Sequence, residues 1–436
     1  MDGKGRMAAQ VEAPKLQEMR IYAPSSAAEA VAGVRYVTRQ PILDLRSKVH
    51  AYELLFSSGP ETAFRGDREV AARMLLDSTV IFGLEKLTCG LPGFVKCTAE
   101  MLTGTLVQML PAAMTVLEIM DPGEVSPELM SACRTLKAAG YGLALDQSQW
   151  EPRAKPTVRP LVKMADYLKV DFSRTNPRNR QTLLGQLSDT TAALVAEKVE
   201  TQEQFRAARD EGFSLVQGYY FCRPVLLGSR QVPANRLSQL EILRLLKDDS
   251  LNLHKLTQLV KRDASLTYRL LRLINSPVCA MPQEVHSVQA ALLAVGEETF
   301  RRMATVAITS EMNAGQPLEL LRMAFVRGRF CELAARACGL DGTEQYLLGL
   351  LSLLPAMLRA PMKDLAPTMP LREEIRRALM GEKVTERSVL DWLEHYEHGD
   401  WVRCGEIASA NELEEAGLLC SYQEAVAWTE AALYFA

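Results

Sequence analysis

The patterned part of the chain opens at Arg35–Phe56, RYVTRQPILDLRSKVHAYELLF. It reads as a strand, a turn through Asp44–Lys48, and a second apolar run carrying one carboxylate, Glu53. Short β-rich runs then recur: FVKCTA (94–99), TVLEIM (115–120), YGLALD (141–146), YLKVDF (167–172), ALVAEKV (193–199) and SLVQGYYF (214–221). Between them lie segments of helical period such as PELMSACRTLKAAG and RNRQTLLGQLSD, the first closed by Gly140 as a C-capping residue. A strand start every 20 to 26 residues or so, with helices between, predicts βα units and a parallel sheet.

Each run is apolar and then turns polar towards its C-terminal end. Lys96 follows Phe94-Val95, Glu118 follows Val116-Leu117, and Asp146 closes YGLALD with Gln147 next. Lys169 and Asp171 sit in YLKVD, Glu197 follows Val195-Ala196, and Gln217 follows Leu215-Val216. In a barrel of parallel strands these ends converge on one face, where sites are built. Glu53 then becomes one more wall of the same pocket. A one-residue slip in register would turn Lys96 outwards, and the sequence alone leaves that open.

Beyond about residue 235 the pattern is helical only. Ser238–Lys247, His254–Arg262 and Leu266–Ile274 place apolar residues at three- and four-residue spacing. Pro and Gly in Arg223–Arg236 mark the boundary. The expected organisation is a mobile tail over 1–33, a barrel over 34–228 and a helical domain over 229–436. In the helical half, Arg262, Arg269, Arg272, Arg301 and Arg302 read as solvated helix faces with acidic partners, such as Glu297 to Arg301. His395 and His398 stand three apart on a helix, without a third metal ligand nearby in sequence. Asn275 is expected to hydrogen-bond the backbone of the turn that follows it.

Composition narrows the classes. The chain has 436 residues, 48% hydrophobic and 24% charged, with formal net charge −3. It carries no basic stripe, so nucleic acid is not an expected partner. No apolar run approaches the ~18 residues of a membrane span, and Met1–Arg20 has no apolar leader core, so a cytoplasmic protein is expected. The nine cysteines are scattered without a C-x-x-C pair, which indicates reduced thiols rather than a zinc or disulfide framework.

The first domain resembles the EAL domain, the barrel that binds or hydrolyses the bacterial second messenger cyclic di-GMP. The resemblance rests on RQPI (39–42), YELLF around Glu53, LEIM, ALDQ, LKVD, AEKVET (196–201) and VQGYYFCRP (216–224), in the family's order over about 190 residues. The second domain resembles the HDOD domain, a helical relative of HD phosphohydrolases that lacks their metal ligands. RDASLTYRLLRLINSP (262–277), HSVQAALLAVGEETFRR (286–302) and LGLLSLLPAML (348–358) carry it, with Leu351-Ser352-Leu353 where an HD enzyme would have His-Asp. The resemblance thus implies an α/β, TIM-like barrel followed by an all-α domain, the tandem arrangement of EAL–HDOD signalling proteins.

Active EAL proteins use two divalent cations. The resemblance places Glu53, Glu118 and Asp146 at metal-ligand positions. It places Lys169 near the attacking water, Glu197 at a further acidic position and Gln217 beside the metals. Three positions depart: Lys96 stands for a metal-binding Asn, Gln147 for the second Asp of a pair, and Ser57 for an Arg that contacts ligand phosphate. An ammonium cannot ligate a cation. It can neutralise carboxylates, here Glu53, Glu118, Asp146, Asp171 and Glu197, with Lys169 as a second positive charge. The resulting expectation is a remnant pocket without a metal or catalysis, in a protein acting through protein contacts or self-association of its HDOD domain. A cyclic di-GMP receptor is the second reading. An active phosphodiesterase using Mg²⁺ is the third.

Overall fold

The computed structural model describes residues 36–57, 83–120, 125–147, 158–187 and 190–222. In the C-terminal half it describes 264–275, 285–313, 315–369 and 371–433, with isolated residues between 239 and 260. The expected tail over 1–33, the boundary stretch 223–236 and the expected helical start at 254–259 lie outside these residues.

Eight strands close a barrel in sequence order. They are β1 (Tyr36–Asp44), β2 (Val49–Ser57), β3 (Gly93–Cys97), β4 (Thr115–Ile119), β5 (Gly142–Leu145), β6 (Tyr167–Asp171), β7 (Ala193–Glu197) and β8 (Leu215–Gln217). The helices among them are α1 (Leu84–Thr88), α2 (Ala99–Thr103), α3 (Pro127–Ala138), α4 (Arg159–Met164), α5 (Pro177–Gly185) and α6 (Gln202–Asp210). Local chemistry sets the helix starts. Ser126, Asn176 and Thr201 cap α3, α5 and α6 with their side-chain oxygens, and Pro127 and Pro177 fill the first turns. Gly140, at φ +100°, ends α3 with the backbone pattern predicted for it.

Two expectations are corrected. The sheet is not wholly parallel: β1 runs antiparallel to both β2 and β8, because the Asp44–Lys48 turn folds β1 back as a hairpin. The run 214–221 is a strand only to Gln217. At Gly218, φ +145°, the backbone lies against Val199 so closely that a Cβ would stand 2.2 Å from its carbonyl oxygen. Tyr220–Cys222 then form a 3₁₀ turn.

Inward positions alternate along each strand, which layers the interior. The lower layer is apolar: Ile42, Ala51, Phe94, Val116, Ala144, Val195 and Leu215 pack together, with Tyr167 and Ala193 against them. The next inward position on most of these strands is polar.

The second domain is helical throughout its described residues, as expected. It comprises α7 (Ala264–Ile274), α8 (Val288–Val295), α9 (Glu297–Met312), α10 (Leu318–Ala337), α11 (Gly342–Leu351), α12 (Leu354–Leu358) and α13 (Met362–Leu365). It ends with α14 (Glu373–Leu379), α15 (Ser388–Glu397), α16 (Trp401–Ala410) and α17 (Glu415–Leu433). The pair α10–α11 crosses closely at Gly328 and Gly349. A Cβ on Gly349 would stand 2.3 Å from the Arg327 carbonyl oxygen. Asn275 bonds both the N–H and the C=O of Val285 at 2.8 Å, a backbone role as expected, but with a residue ten positions on rather than with the turn directly after it.

The domains meet on β1 and β2. These strands have nine residues each against three to five elsewhere, so their ribbon runs past the barrel mouth. Helices grip both of its faces. Outside, Arg39 pairs with Glu430 at 3.0 Å, and the Tyr52 hydroxyl donates to Glu319 at 2.9 Å. Arg322 joins Glu319 to Glu430 at 3.0 and 2.9 Å. Inside, Tyr422 reaches Thr38 at 3.5 Å. Gly399 lies so close to Leu55 that a Cβ there would stand 3.1 Å from the leucine side chain. Beyond the three residues of β1 paired with β8, the Tyr396 hydroxyl closes the open strand edge. It accepts from the Val37 N–H at 3.2 Å and donates to the Val37 carbonyl at 2.7 Å.

Candidate functional site

The polar layer gathers the predicted residues at the C-terminal ends of the strands. Strand alternation puts Glu53 inward and its neighbour Tyr52 outward to the helical domain. Lys169, fully buried, is the centre. Its ammonium lies 2.8 Å from Glu53 Oε2, 2.7 Å from Glu118 Oε2 and 2.6 Å from Glu197 Oε1. Lys96 also points inward, so the slipped register is excluded. Its ammonium lies 2.7 Å from Glu53 Oε1 and 3.9 Å from Glu118 Oε1, with the side chain 29% exposed. Gln217 donates to Glu53 at 2.7 Å.

Two predicted members are used differently. Asp171 does not join the cluster. Its Oδ1 accepts from the Ser173 and Arg174 backbone N–H groups, and its Oδ2 takes the Lys198 ammonium at 2.7 Å. It stabilises the turn after β6. Gln147, buried, accepts from the Asp171 N–H at 3.1 Å and so positions that turn. Asp146 follows β5 at a partly exposed position. Ser57 ends β2, and its side chain lies outside the described residues, as does 148–157 after Gln147.

The charges explain the titration. Burial would raise the Glu53 carboxyl, but Lys169 and then Lys96 outweigh burial and hold it far below the usual carboxylate range. Burial would lower both ammoniums, yet the facing carboxylates push both above the ordinary lysine value. Glu197 is the exception. Burial, with Glu118 and Glu53 nearby, overcomes Lys169 and raises it to about 7. Three carboxylates share two ammoniums, and the least compensated one holds its proton longest.

The oxygens of Glu53 and Glu118 facing the pocket are engaged by two ammonium groups, those of Lys96 and Lys169. Among the described residues no group of three or more His, Cys, Asp and Glu is arranged to hold a metal ion.

In the helical domain, Leu351-Ser352-Leu353 is not an isolated loss. Ser352 accepts from Arg327 at 3.1 Å, and Arg327 forks onto Glu397 at 3.1 and 2.6 Å and reaches Glu394 at 3.2 Å. His395 and His398 do not share a ligand position. One faces Asp400 at 3.2 Å, and the other faces the Glu394 carbonyl at 2.6 Å and packs on the Tyr219 ring. Arg301 pairs with Glu297 as expected, but it is largely buried and also donates to the Leu246 carbonyl at 2.6 Å, so it is not a solvated face.

Sequence reasoning missed Gln40, Lys198 and Tyr219. Gln40 could have been found by folding the hairpin about Asp44–Lys48, because that register sets it opposite Glu53. Lys198, at φ +53°, and Tyr219 follow their strands in irregular backbone and carry no periodic signal.

With this geometry in place, similarity to known proteins falls on both halves. Residues 233–390 match the family model of the HDOD domain. The chain is 29% identical over 401 residues to the uncharacterized protein YuxH of Bacillus subtilis (strain 168), spanning 90% of this chain and 97% of that protein. It is 28% identical over 374 residues to the cyclic di-GMP phosphodiesterase CdgJ of Vibrio cholerae serotype O1, spanning 84% of this chain and 85% of that protein. Among solved structures, the EAL domain protein of Listeria monocytogenes EGD-e aligns with 47% of this chain and 91% of its own, at 18% identity and TM-score 0.34. The EAL domain of Mycobacterium smegmatis DcpA aligns with 43% and 91%, at 19% identity and TM-score 0.35. No helix among the described residues is long and apolar enough to cross a membrane.

Proposed function

We propose that this chain is a cytoplasmic bacterial signalling protein with a barrel of EAL type that no longer hydrolyses cyclic di-GMP. It acts through protein contacts or self-association of its HDOD domain. The observation that carries this reading is the Lys96 ammonium at 2.7 Å from Glu53 and 3.9 Å from Glu118. A fixed positive charge there opposes a cation electrostatically and supplies no lone pair. Lys96 and Lys169 offset carboxylates that would otherwise repel each other, so the fold is stable without a metal. The pocket's remaining carboxylates also disfavour a ligand bearing two phosphates.

The similarity to CdgJ favours a second reading, in which cyclic di-GMP is bound or cleaved. Calorimetric titration of the full chain with Mg²⁺, and then with cyclic di-GMP in Mg²⁺, separates the two. The expected result is no saturable heat in either titration and no hydrolysis, with Mg²⁺ binding gained by Lys96→Asn. Micromolar Mg²⁺ binding or turnover by the wild type would overturn the proposal. Binding of cyclic di-GMP without turnover would make the barrel a receptor.

A further inference from the structure

We propose that Gln217 and Gln40 couple the hydrogen-bond acceptor that Glu53 presents in the barrel pocket to the C-terminal turn of α15 in the helical domain. The inference rests on a continuous line of hydrogen bonds and holds whether or not the barrel retains chemistry. Gln217 Nε2 donates to Glu53 Oε2 at 2.7 Å and to Gln40 Oε1 at 3.2 Å. Gln40 Nε2 donates onward to the Glu397 carbonyl at 3.3 Å. Glu53 belongs to the lysine–carboxylate cluster, and Glu397 is the last residue of α15.

The ends of this line fix its direction. A carboxylate and a backbone carbonyl are both acceptors only, so each amide must present its NH₂ group to one of them and Gln40 must receive the second N–H of Gln217. Gln217 Oε1, meanwhile, is buried without a hydrogen-bond partner. That is a costly arrangement, tolerated while Glu53 accepts from the amide NH₂ group. If the Glu53 acceptor is withdrawn from Gln217 or replaced by a donor, the better arrangement turns Gln217 over and gives Oε1 a partner. Gln40 then receives no N–H from Gln217. To donate towards Gln217 it must turn its own amide and set an oxygen against the Glu397 carbonyl. Two discrete amide orientations therefore connect two sites on different domains.

The receiving end is built to respond. The Tyr219 hydroxyl shares the Glu397 carbonyl at 2.5 Å, and the His398 ring rests on the Tyr219 ring at 4.2 Å between centroids. The Glu397 carboxylate holds Arg327, which reaches Glu394 and Ser352. Displacing the Glu397 carbonyl thus disturbs contacts running into the helical core.

The test is a double-substitution cycle read by amide hydrogen exchange on the full chain. Glu53→Gln, Gln40→Leu and the pair are compared at His398, Gly399 and Asp400, whose N–H groups bond to the carbonyls of residues 395 and 396. Each single change should raise exchange there by about threefold or more, and the pair should exceed neither single change. Helix Glu373–Leu379 is the reference segment and should not change. Unaltered exchange in Glu53→Gln, or effects that multiply in the pair, would overturn the proposal. If Glu53→Gln does not fold, Glu53→Asp keeps the charge and withdraws it from Gln217 by one methylene. It serves the same comparison with the same criteria.

Discussion

Replacing Lys169 with Met keeps the length of the side chain and removes the charge. Three carboxylates at 2.6–2.8 Å then lose their shared partner inside a barrel where Lys169 has no exposed surface. Breaking a buried ion pair by removing one partner costs about 3–5 kcal/mol. Two features pull the figure away from a threefold multiple. Lys96 still neutralises Glu53 at 2.7 Å, and Glu197, already raised to about 7, takes a proton at small cost. We therefore expect a loss of about 3–5 kcal/mol in total at about pH 8. The loss should depend on pH. Glu197, raised to about 7 even beside Lys169, keeps a folded-state pKa above its unfolded one in the variant, with nothing left to oppose the effect of burial. The folded form then binds more protons than the unfolded form, and stability is regained as pH falls from about 8 towards about 5. Urea denaturation of both proteins across this range, followed by far-ultraviolet circular dichroism, measures the difference. Adding Glu118→Gln to Lys169→Met should recover part of the loss, because it removes one stranded charge. A deficit below about 1 kcal/mol, or one that grows on acidification, would refute the view that Lys169 is the central counter-charge.

Two further predictions concern the helical domain and its grip on the barrel. Tyr396→Phe removes the hydroxyl that satisfies both backbone groups of Val37, and should cost about 1–3 kcal/mol by the same denaturation assay, with earlier proteolytic cleavage of β1. Gly349→Ala drives a methyl into the Arg327 carbonyl and should cost towards the upper end of about 1–3 kcal/mol, with the melting temperature lowered accordingly.

The barrel was legible because its strands recur at βα spacing and because each turns polar at the same end. That pattern put Glu53, Lys96, Glu118, Lys169, Glu197 and Gln217 on one face, where the structure has them. Asp171 was misplaced because alternation tells which way a side chain leaves a strand, not which partner it finds. Lys198 and Ser173, in the irregular backbone on either side, claimed it. The antiparallel course of β1 could have been inferred from a turn too short for a crossover helix. The domain interface could not. Tyr52 and Glu53 are adjacent in one apolar run yet serve different domains, and the partners of Val37, Arg39 and Tyr52 in the helical domain lie 267 to 391 residues away. No local period records such a distance.

That distance bears on the order in which the protein is made. β1 leaves the ribosome well ahead of its partners in the helical domain: the hydroxyl that closes its edge arrives 359 residues later and the carboxylate that pairs with Arg39 arrives 391 residues later. At a synthesis rate of roughly 5–20 residues per second, the nascent strand waits tens of seconds with an open edge. During that interval another chain on the same message could supply the missing strand neighbour. Slow elongation before the α15 codons would then lower the yield of folded protein, and a chaperone that shields β1 would restore it.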